Sequence, residues 1–336
     1  MTATATVMER KVSGETTTHH VMGPAYFNSF LDTSGISPTK NARLTITLRI
    51  ALCPIGPGTN MDDAKWLKGA TNGIVKNCWD NTWVPCIQWD DASYNQFAYA
   101  VLRQAESFWG STDPTWGNKG ITLINIAKGW DGLNVPFGLN ATHQANVECD
   151  FHIEWARSLD DAHVAVYVAR LPPGAKTICS WMSPGTASRT GRGFLSTTSL
   201  TLANFGYCGG KLPSGVCTPA TTNAVVAHEI GHAIGLPHIG VMISGSTCNR
   251  EITGDKFDRF LRALSLKGYD ANINSCYRGE SPADTQNVMG QGSTISVQNL
   301  DPWRIRIAQH THTKIGDWAA VADRWAPIEL AHFHKM

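Results

Sequence analysis

Charged residues are scarce in this sequence. Asp, Glu, Lys and Arg make up 16 % of the 336 residues, and the formal net charge is +1, whereas about a quarter of an ordinary chain is charged. No excess of basic residues is present that would hold a nucleic acid or an anionic membrane by electrostatic attraction. We therefore expect a peptide-like partner, namely a protein or peptide substrate, and no nucleic acid. We also expect a monomer.

Long apolar runs are also missing. No stretch approaches the roughly 18 consecutive apolar residues of a membrane-spanning helix, so no membrane span is predicted. The segment Met1 to Ala25 lacks the apolar core of at least about seven residues that a secretory signal carries. We favour an extracellular location reached by a route that needs no such signal, and the cytoplasm is the alternative.

The motif Cys-x-x-Cys does not occur, so a zinc site formed by cysteine thiolates is not expected. The nine cysteines are an odd number and cannot all pair within the chain. Connectivity cannot be deduced from a sequence, but three pairs flank short excursions of the chain. The candidate disulfides are Cys208–Cys217, Cys78–Cys86 and Cys248–Cys276.

The composition of the chain changes near residue 40. Residues 1–40 are rich in Thr, Ser, Gly and Pro without a sustained period, which predicts a flexible N-terminal arm or a short pro-segment. Residues 41–336 form the predicted catalytic domain, with an N-terminal subdomain over 41–238 and a C-terminal subdomain over 239–336. Because 42 % of the residues are apolar, this domain can bury a proper core.

Local periodicity predicts the main elements. Leu44–Ile50 alternates apolar and polar residues, which is typical of a half-buried strand. Helical spacing predicts a helix from Asn60 through Ile74 to Cys78 and a second one over Phe97–Trp109. We expect further strands over 83–89, 121–127, 147–155 and 163–171. The glycine-rich segment 190–196 is either an edge strand or a loop.

The most informative stretch runs from His228 to His238. His228 and His232 are four residues apart and lie on one face of a helix, so both imidazoles can reach one ion. Gly235 can adopt a left-handed backbone that ends the helix, after which His238 can return as a third ligand. Three ligands leave the fourth tetrahedral position of Zn²⁺ open, which is typical of a catalytic site.

Glu229 directly follows the first histidine and is the candidate catalytic residue. It can reach a metal-activated water without being a ligand itself. We expect the helix to begin near Thr221 or Thr222, either of which can cap it. The alternative is a core helix with satisfied histidines, but burying three imidazoles and a carboxylate without partners is costly. His152 and His163 are expected to be core or surface residues rather than ligands.

The stretch resembles the zinc-binding motif of the metzincin metallopeptidases, His-Glu-x-x-His-x-x-Gly-x-x-His, which is followed downstream by a methionine-containing turn, the Met-turn. The segment Asn287-Val288-Met289-Gly290 is the candidate turn, and a plain core methionine is the alternative reading of Met289. Met242 follows the third histidine too closely to loop away and return. In the family, the methionine forms an apolar floor below the metal.

The resemblance implies an α+β fold. It consists of a twisted mixed β-sheet with a backing helix and an active-site helix, followed by an irregular C-terminal subdomain with the Met-turn and a C-terminal helix, here beginning at Asp301 and Pro302. In the family, an edge strand beside the cleft holds the substrate, and the resemblance implies the same here. Two positions depart from the family pattern. Gln291 stands where several members carry a tyrosine, and Ile239 matches no subfamily.

The predicted function is that of a zinc-dependent endopeptidase in which a metal-activated water attacks the peptide bond. Glu229 acts as the general base and then as the general acid. One alternative is a zinc hydrolase that acts on a non-peptide amide or ester. Another is a catalytically silent binding module that contains zinc, although such a module has no need of a general base.

Overall fold

A computed structural model describes the backbone of most of the chain. The described residues are 7–12, 25–34, 36, 41–59, 73–76, 82–111, 121–126, 134–137, 141–144, 146–176, 178, 180–186, 188–200, 203–205, 221–236, 242–243, 246–247, 287–290, 292–295 and 297–321. The predictions at His238, Ile239 and Gln291 lie outside these residues.

Within the described residues the chain forms 17 strands and three α-helices. The helices are α1 (Asp91–Trp109), α2 (Val225–Ala233) and α3 (Asp301–Thr311). The strands are β1 (Val7–Val12), β2 (Ala25–Asp32), β3 (Ala42–Ile55), β4 (Ile74–Lys76), β5 (Trp83–Pro85), β6 (Thr122–Asn125), β7 (Asn134–Phe137), β8 (Ala141–Gln144), β9 (Val147–Trp155), β10 (Val164–Ala169), β11 (Trp181–Ser183), β12 (Gly191–Ser196), β13 (Ala203–Phe205), β14 (Thr221–Asn223), β15 (Met242–Ile243), β16 (Ser246–Thr247) and β17 (Trp318–Val321).

One mixed sheet organises the molecule. Its strand order is β11-β12-β10-β3-β9-β6-β17, and the hairpin β1-β2 joins it through β3. The pairs β3-β9, β3-β10 and β10-β12 are parallel, whereas β11, β6, β17 and the hairpin pair in antiparallel fashion. A mixed sheet with few helices is compatible with the predicted α+β class.

Strand β3 is the spine of this sheet because it is long enough to pair with different neighbours along its length. Its first half faces β2, with Asn28 opposite Thr47, and its second half faces β10, with Val164 opposite Ile50. The predicted alternation is confirmed, since Leu44, Ile46, Leu48 and Ile50 are fully buried and the residues between them are not.

Helix α1 packs its apolar face against the sheet. The face consists of six buried residues at helical spacing, namely Phe97, Ala98, Val101, Ala105, Phe108 and Trp109. The helix begins six residues before the predicted start because Asp90 caps it, accepting a hydrogen bond of 2.7 Å from the backbone N–H of Ser93.

Among the described residues, no helix is both long enough and apolar enough to span a bilayer.

Several element predictions need correction. Ile74 lies in the short hairpin β4-β5 rather than in a helix, because Ile74 and Lys76 pair with Pro85 and Trp83. The strand predicted over 83–89 ends at Pro85.

Strands β6, β9 and β10 confirm the predictions over 121–127, 147–155 and 163–171. Strands β6 and β10 are shorter than predicted by up to two residues at each end.

Part of the N-terminal segment belongs to the sheet. Ala25–Asp32, which the composition assigned to a flexible arm, forms strand β2, and Phe27 is fully buried. The Arg306 guanidinium of α3 stacks on the Phe27 ring at 4.3 Å and donates to the Phe27 carbonyl. The hairpin β1-β2 is thereby attached both to the sheet and to the C-terminal helix.

Two further predictions concern single residues. Cys86 is a buried free thiol, so the predicted disulfide Cys78–Cys86 is not formed in this structure, and burial raises the pKa of Cys86 to about 11. The cysteines of the other two candidate pairs lie outside the described residues.

At the start of α3, Asp301 occupies the first turn rather than the cap position, and its carboxylate accepts a hydrogen bond from Arg304 at 2.8 Å.

Candidate metal centre

Helix α2 carries the two paired histidines of the motif. It begins at Val225, because Thr221 and Thr222 form strand β14 and pair with β13. The predicted start at these threonines is therefore wrong, and Ala224 at the N-cap provides no side-chain cap. Every residue from Val226 to Ala233 is buried. Burial within the core, rather than capping, therefore stabilises this short helix.

Helix α2 ends at Ala233, two residues before Gly235, the residue that the sequence predicted would end it. Gly235 has a φ of 95°, in the left-handed region that glycine adopts without steric cost. Its N–H donates to the His232 carbonyl at 3.0 Å, and the Leu236 N–H donates to the Gly231 carbonyl at 2.9 Å. These two bonds are those of a Schellman motif. The turn brings the Leu236 carbonyl back towards the histidines.

Both histidine rings are fixed by backbone carbonyls. The Nδ1 atom of His228 lies 2.6 Å from the Val288 carbonyl oxygen, and the Nδ1 atom of His232 lies 2.7 Å from the Leu236 carbonyl oxygen. A carbonyl oxygen can only accept, so each Nδ1 carries the proton and donates it. In a neutral imidazole the lone pair is then on Nε2, which is the arrangement found in metal-ligating histidines.

The two Nε2 atoms face each other at 3.1 Å, and the ring planes are nearly perpendicular at 87°. Two nitrogen ligands of a tetrahedral zinc ion, each about 2.0–2.1 Å from the metal, are about 3.3 Å apart. Burial lowers the pKa of His228 to about 4 and that of His232 to about 3. Two neutral rings with converging lone pairs fit a shared cation.

Glu229 is buried beside the first histidine. Its Oε2 atom has no hydrogen-bond partner among the described residues. Burial raises the pKa of Glu229 to about 8, and a hydrogen bond from the backbone N–H of Met182 opposes this shift. Met182 lies on β11, at the edge of the sheet. The carboxylate therefore lies between the histidine helix and the edge strand.

The segment 287–290 forms a buried turn next to α2. The Gly290 N–H donates to the Asn287 carbonyl at 2.9 Å, and the Asn287 side chain accepts from the Met289 N–H at 2.8 Å. The Asn287 amide also donates to Asn299 at 2.7 Å. These bonds hold the turn rigidly, and its Val288 carbonyl is the acceptor that orients His228.

Met289 packs against the middle of the histidine helix. The residue is fully buried, and its sulfur would lie 2.4 Å from a Cβ atom placed on Gly231. Gly231 lies between the two histidines, so only a residue without a side chain allows this close approach. The methionine thus makes an apolar contact with α2 at Gly231, between the two histidines in the sequence.

The structure brings together four of the five predicted site residues, namely His228, Glu229, His232 and Met289. His238 lies outside the described residues, and within these residues no group of three or more potential metal-ligating side chains is found. Met242 lies in the short hairpin β15-β16. The metal-ligand and Met-turn assignments remain predictions.

His152 and His163, the two histidines predicted not to be ligands, have different surroundings. His152 is on the surface of β9, paired with Glu106 and 3.8 Å from Glu154. His163 is buried and accepts from the Arg49 backbone N–H at 3.0 Å. Both contacts are those expected of surface and core residues.

Sequence reasoning missed the residues that orient the site from elsewhere in the chain. The Val288 and Leu236 carbonyls act through the backbone, so no residue type reveals them. The indole of Trp109 donates to the Ala227 carbonyl at 2.9 Å, but the sequence identified Trp109 only as the last residue of a helix.

Comparisons with protein families, curated proteins and solved structures find no match to this chain.

Proposed function

We propose that the protein is a zinc-dependent endopeptidase with a metzincin-like fold. The observation that carries the proposal is the pair of Nε2 atoms of His228 and His232, which converge at 3.1 Å while both Nδ1 atoms donate to backbone carbonyls. Each ring is thereby preorganised as a metal ligand, and its orientation does not depend on the ion.

We assign the third ligand to His238 on the basis of chain reach. His238 follows Leu236 by two residues, which span at most about 7 Å of backbone. The Leu236 carbonyl is held 2.7 Å from the Nδ1 atom of His232. The backbone two residues before His238 is therefore held close to His232. The proposed site consists of three histidines and one open position.

Zinc bound there supplies Lewis-acid activation of a water molecule and of the peptide carbonyl. Glu229 accepts the proton of the attacking water and passes it to the leaving amine. The partner-free Oε2 atom is available for this role. A cation near Glu229 favours its ionised form and so opposes the effect of burial on its pKa.

The edge strand for the substrate is β11 rather than β12. The segment 190–196 forms a strand, but β12 is enclosed between β11 and β10, so its backbone groups are already paired. Strand β11 has no further partner strand among the described residues, and its Met182 contacts Glu229. We propose that an extended substrate pairs with this edge, which places a peptide bond beside the carboxylate.

The proposal is tested with the variant Glu229→Gln. We expect about one zinc per chain to be retained, because no ligand is lost. Hydrolysis of a generic protein such as casein should fall by a factor of about 10² to 10⁴, since general-base catalysis is removed. Metal content by mass spectrometry and the rate of casein cleavage are the two measurements.

Glu148→Gln is the matched control. Glu148 is also buried and lies on β9, where it pairs with Arg43 at 3.4 Å rather than facing the histidines. The control should cleave casein at the wild-type rate. Undiminished cleavage by Glu229→Gln would refute the proposed mechanism, whereas a wild-type protein that binds zinc and cleaves only small esters would be a hydrolase of another substrate class.

A further inference from the structure

We propose that Trp109 is a positioning residue of the metal site, an inference that rests on the proposed zinc function. Trp109 is the last residue of α1 and is fully buried. Its Nε1–H donates to the carbonyl oxygen of Ala227 at 2.9 Å. Ala227 directly precedes His228, so the indole is attached to the backbone that carries the first histidine.

The same indole also touches the other end of this helical turn. Its Cζ2 atom would lie 3.1 Å from a Cβ atom on Gly231, the glycine that faces the Met289 sulfur. Trp109 thus contacts the turn 227–231 at both ends, with His228 between them. Together with Met289 it determines how far and at what angle the helix approaches the turn 287–290.

Trp109 is itself held in place by a second tryptophan. The Trp303 ring of α3 stacks on it, with ring centroids 6.1 Å apart and planes inclined by 27°. The Trp303 Nε1–H donates to the Asp150 carbonyl at 2.7 Å, and the Asp150 carboxylate accepts from the Ser111 N–H at 3.0 Å just after α1. Residue 150 therefore fixes both the stacking partner and the end of the backing helix.

A shift of the 227–231 turn changes the angle at which the two imidazoles meet. The His228 ring donates to Val288 in the separate turn 287–290, whereas the His232 ring donates to Leu236 in the turn directly after its own helix. Loss of the indole hydrogen bond therefore moves one ring relative to the other. Outer contacts that orient metal ligands typically change metal affinity by a factor of about 10 to 100.

The test compares Trp109→Phe with Trp318→Phe in the full chain. Both residues are fully buried tryptophans, and the Trp318 indole donates to the Thr313 hydroxyl at 2.8 Å, on the C-terminal side of the molecule. Zinc affinity is measured by competition with a chromogenic chelator, and ligand geometry from the absorption bands of the cobalt-substituted protein. Thermal unfolding of the metal-free proteins checks that both variants lose comparable stability.

We expect Trp109→Phe to bind zinc about ten-fold more weakly and to shift the cobalt bands, with kcat lowered more than KM is raised. Trp318→Phe should leave affinity and spectrum unchanged. Equal zinc affinity and identical spectra in the two variants would overturn the inference. If Trp109→Phe does not fold, Trp303→Phe should change the same quantities in the same direction, and no change in them would equally overturn the inference.

Failure of the proposed function has a different signature. In that case the wild-type protein itself binds no zinc and shows no cobalt bands, which overturns the positioning role together with the metal site. Failure of the inference alone leaves a wild-type protein that binds zinc and a Trp109→Phe variant that binds it equally well.

Discussion

Gly231 makes the close packing of the site possible. It lies on α2 between the two histidines, with the Met289 sulfur and the Trp109 ring on its bare face. A methyl group there would meet the sulfur at 2.4 Å and the ring at 3.1 Å. Both neighbours are fully buried, so a shift of either one disturbs the surrounding core. The helix would have to move away from the turn 287–290, where His228 finds its acceptor.

We therefore predict that Gly231→Ala lowers the free energy of unfolding by about 1–3 kcal/mol through overpacking. It should also weaken zinc binding. Denaturant titration and chelator competition measure the two effects. Gly316→Ala is the matched control, since no atom of the described residues other than its chain neighbours lies within 4 Å of its added methyl group. Wild-type stability of Gly231→Ala would contradict the packing described here.

At the scale of single residues, the sequence predicted features set by neighbouring residues and missed contacts between residues far apart in the chain. The spacing of His228, His232 and Gly235 specifies a helical face and its end, and both are observed. The acceptor of His228 is the carbonyl of Val288, 60 residues away, and every residue type presents the same carbonyl. Trp109 lies 118 residues from its acceptor, so no local pattern connects them.

Strand prediction failed where elements are short or depend on partners. Strand β3 was found because its alternation extends over many residues, whereas the three residues of β11 are too few for any period. The spacing through Ile74 suggested a helix, but pairing with Trp83–Pro85 overrides local preference. Strand β2 was missed because composition alone does not reveal that Phe27 packs under Arg306.

Strand β2 contributes to the core rather than to a removable arm. Phe27 is fully buried between the sheet and the Arg306 guanidinium. We predict that Phe27→Ala lowers the free energy of unfolding by about 3–5 kcal/mol, as for other large core truncations. Phe30→Ala on the same strand is the control, because Phe30 is only partly buried and should cost clearly less in the same denaturant titration. Equal losses would mean that β2 does not pack as described.

The start of helix α1 carries a pH-dependent contribution to stability. The backbone and side chain of Ser93, followed by Arg170, lower the pKa of Asp90 from 3.8 to about 2. A carboxyl whose pKa is lower in the folded state stabilises the fold above pH 3.8, and this contribution is lost as the pH falls towards 2. We predict that Asp90→Ala unfolds at a lower temperature than wild type at pH 7.

Asp90→Asn separates the cap from the charge. Asparagine still accepts the Ser93 hydrogen bond but does not titrate. The difference in unfolding midpoint between wild type and Asp90→Asn should therefore shrink between pH 4 and pH 2, in parallel thermal scans. A difference that stays constant over this range would show that the Asp90 charge does not contribute to folding.

At the scale of the whole molecule, distant parts of the chain meet in one core. Strand β2 near the N-terminus and strand β17 after α3 belong to the same sheet, and α3 contacts both ends of the described chain. The proposed metal site lies where α2, the edge strand β11 and the turn 287–290 converge. An ion held there stabilises only the assembled structure, since the unfolded chain does not bring these segments together.

Zinc should therefore raise the stability of the entire fold. Binding to the native state alone adds about 4 kcal/mol to the free energy of unfolding when the free metal is 1,000 times the dissociation constant. We predict a higher thermal midpoint for the zinc-loaded protein than for the chelator-treated one in scanning calorimetry. His228→Ala should abolish the difference because it removes a ligand, whereas His152→Ala should keep it, since His152 is on the surface beside Glu106. Equal midpoints for wild type with and without zinc would exclude a metal site formed by folding.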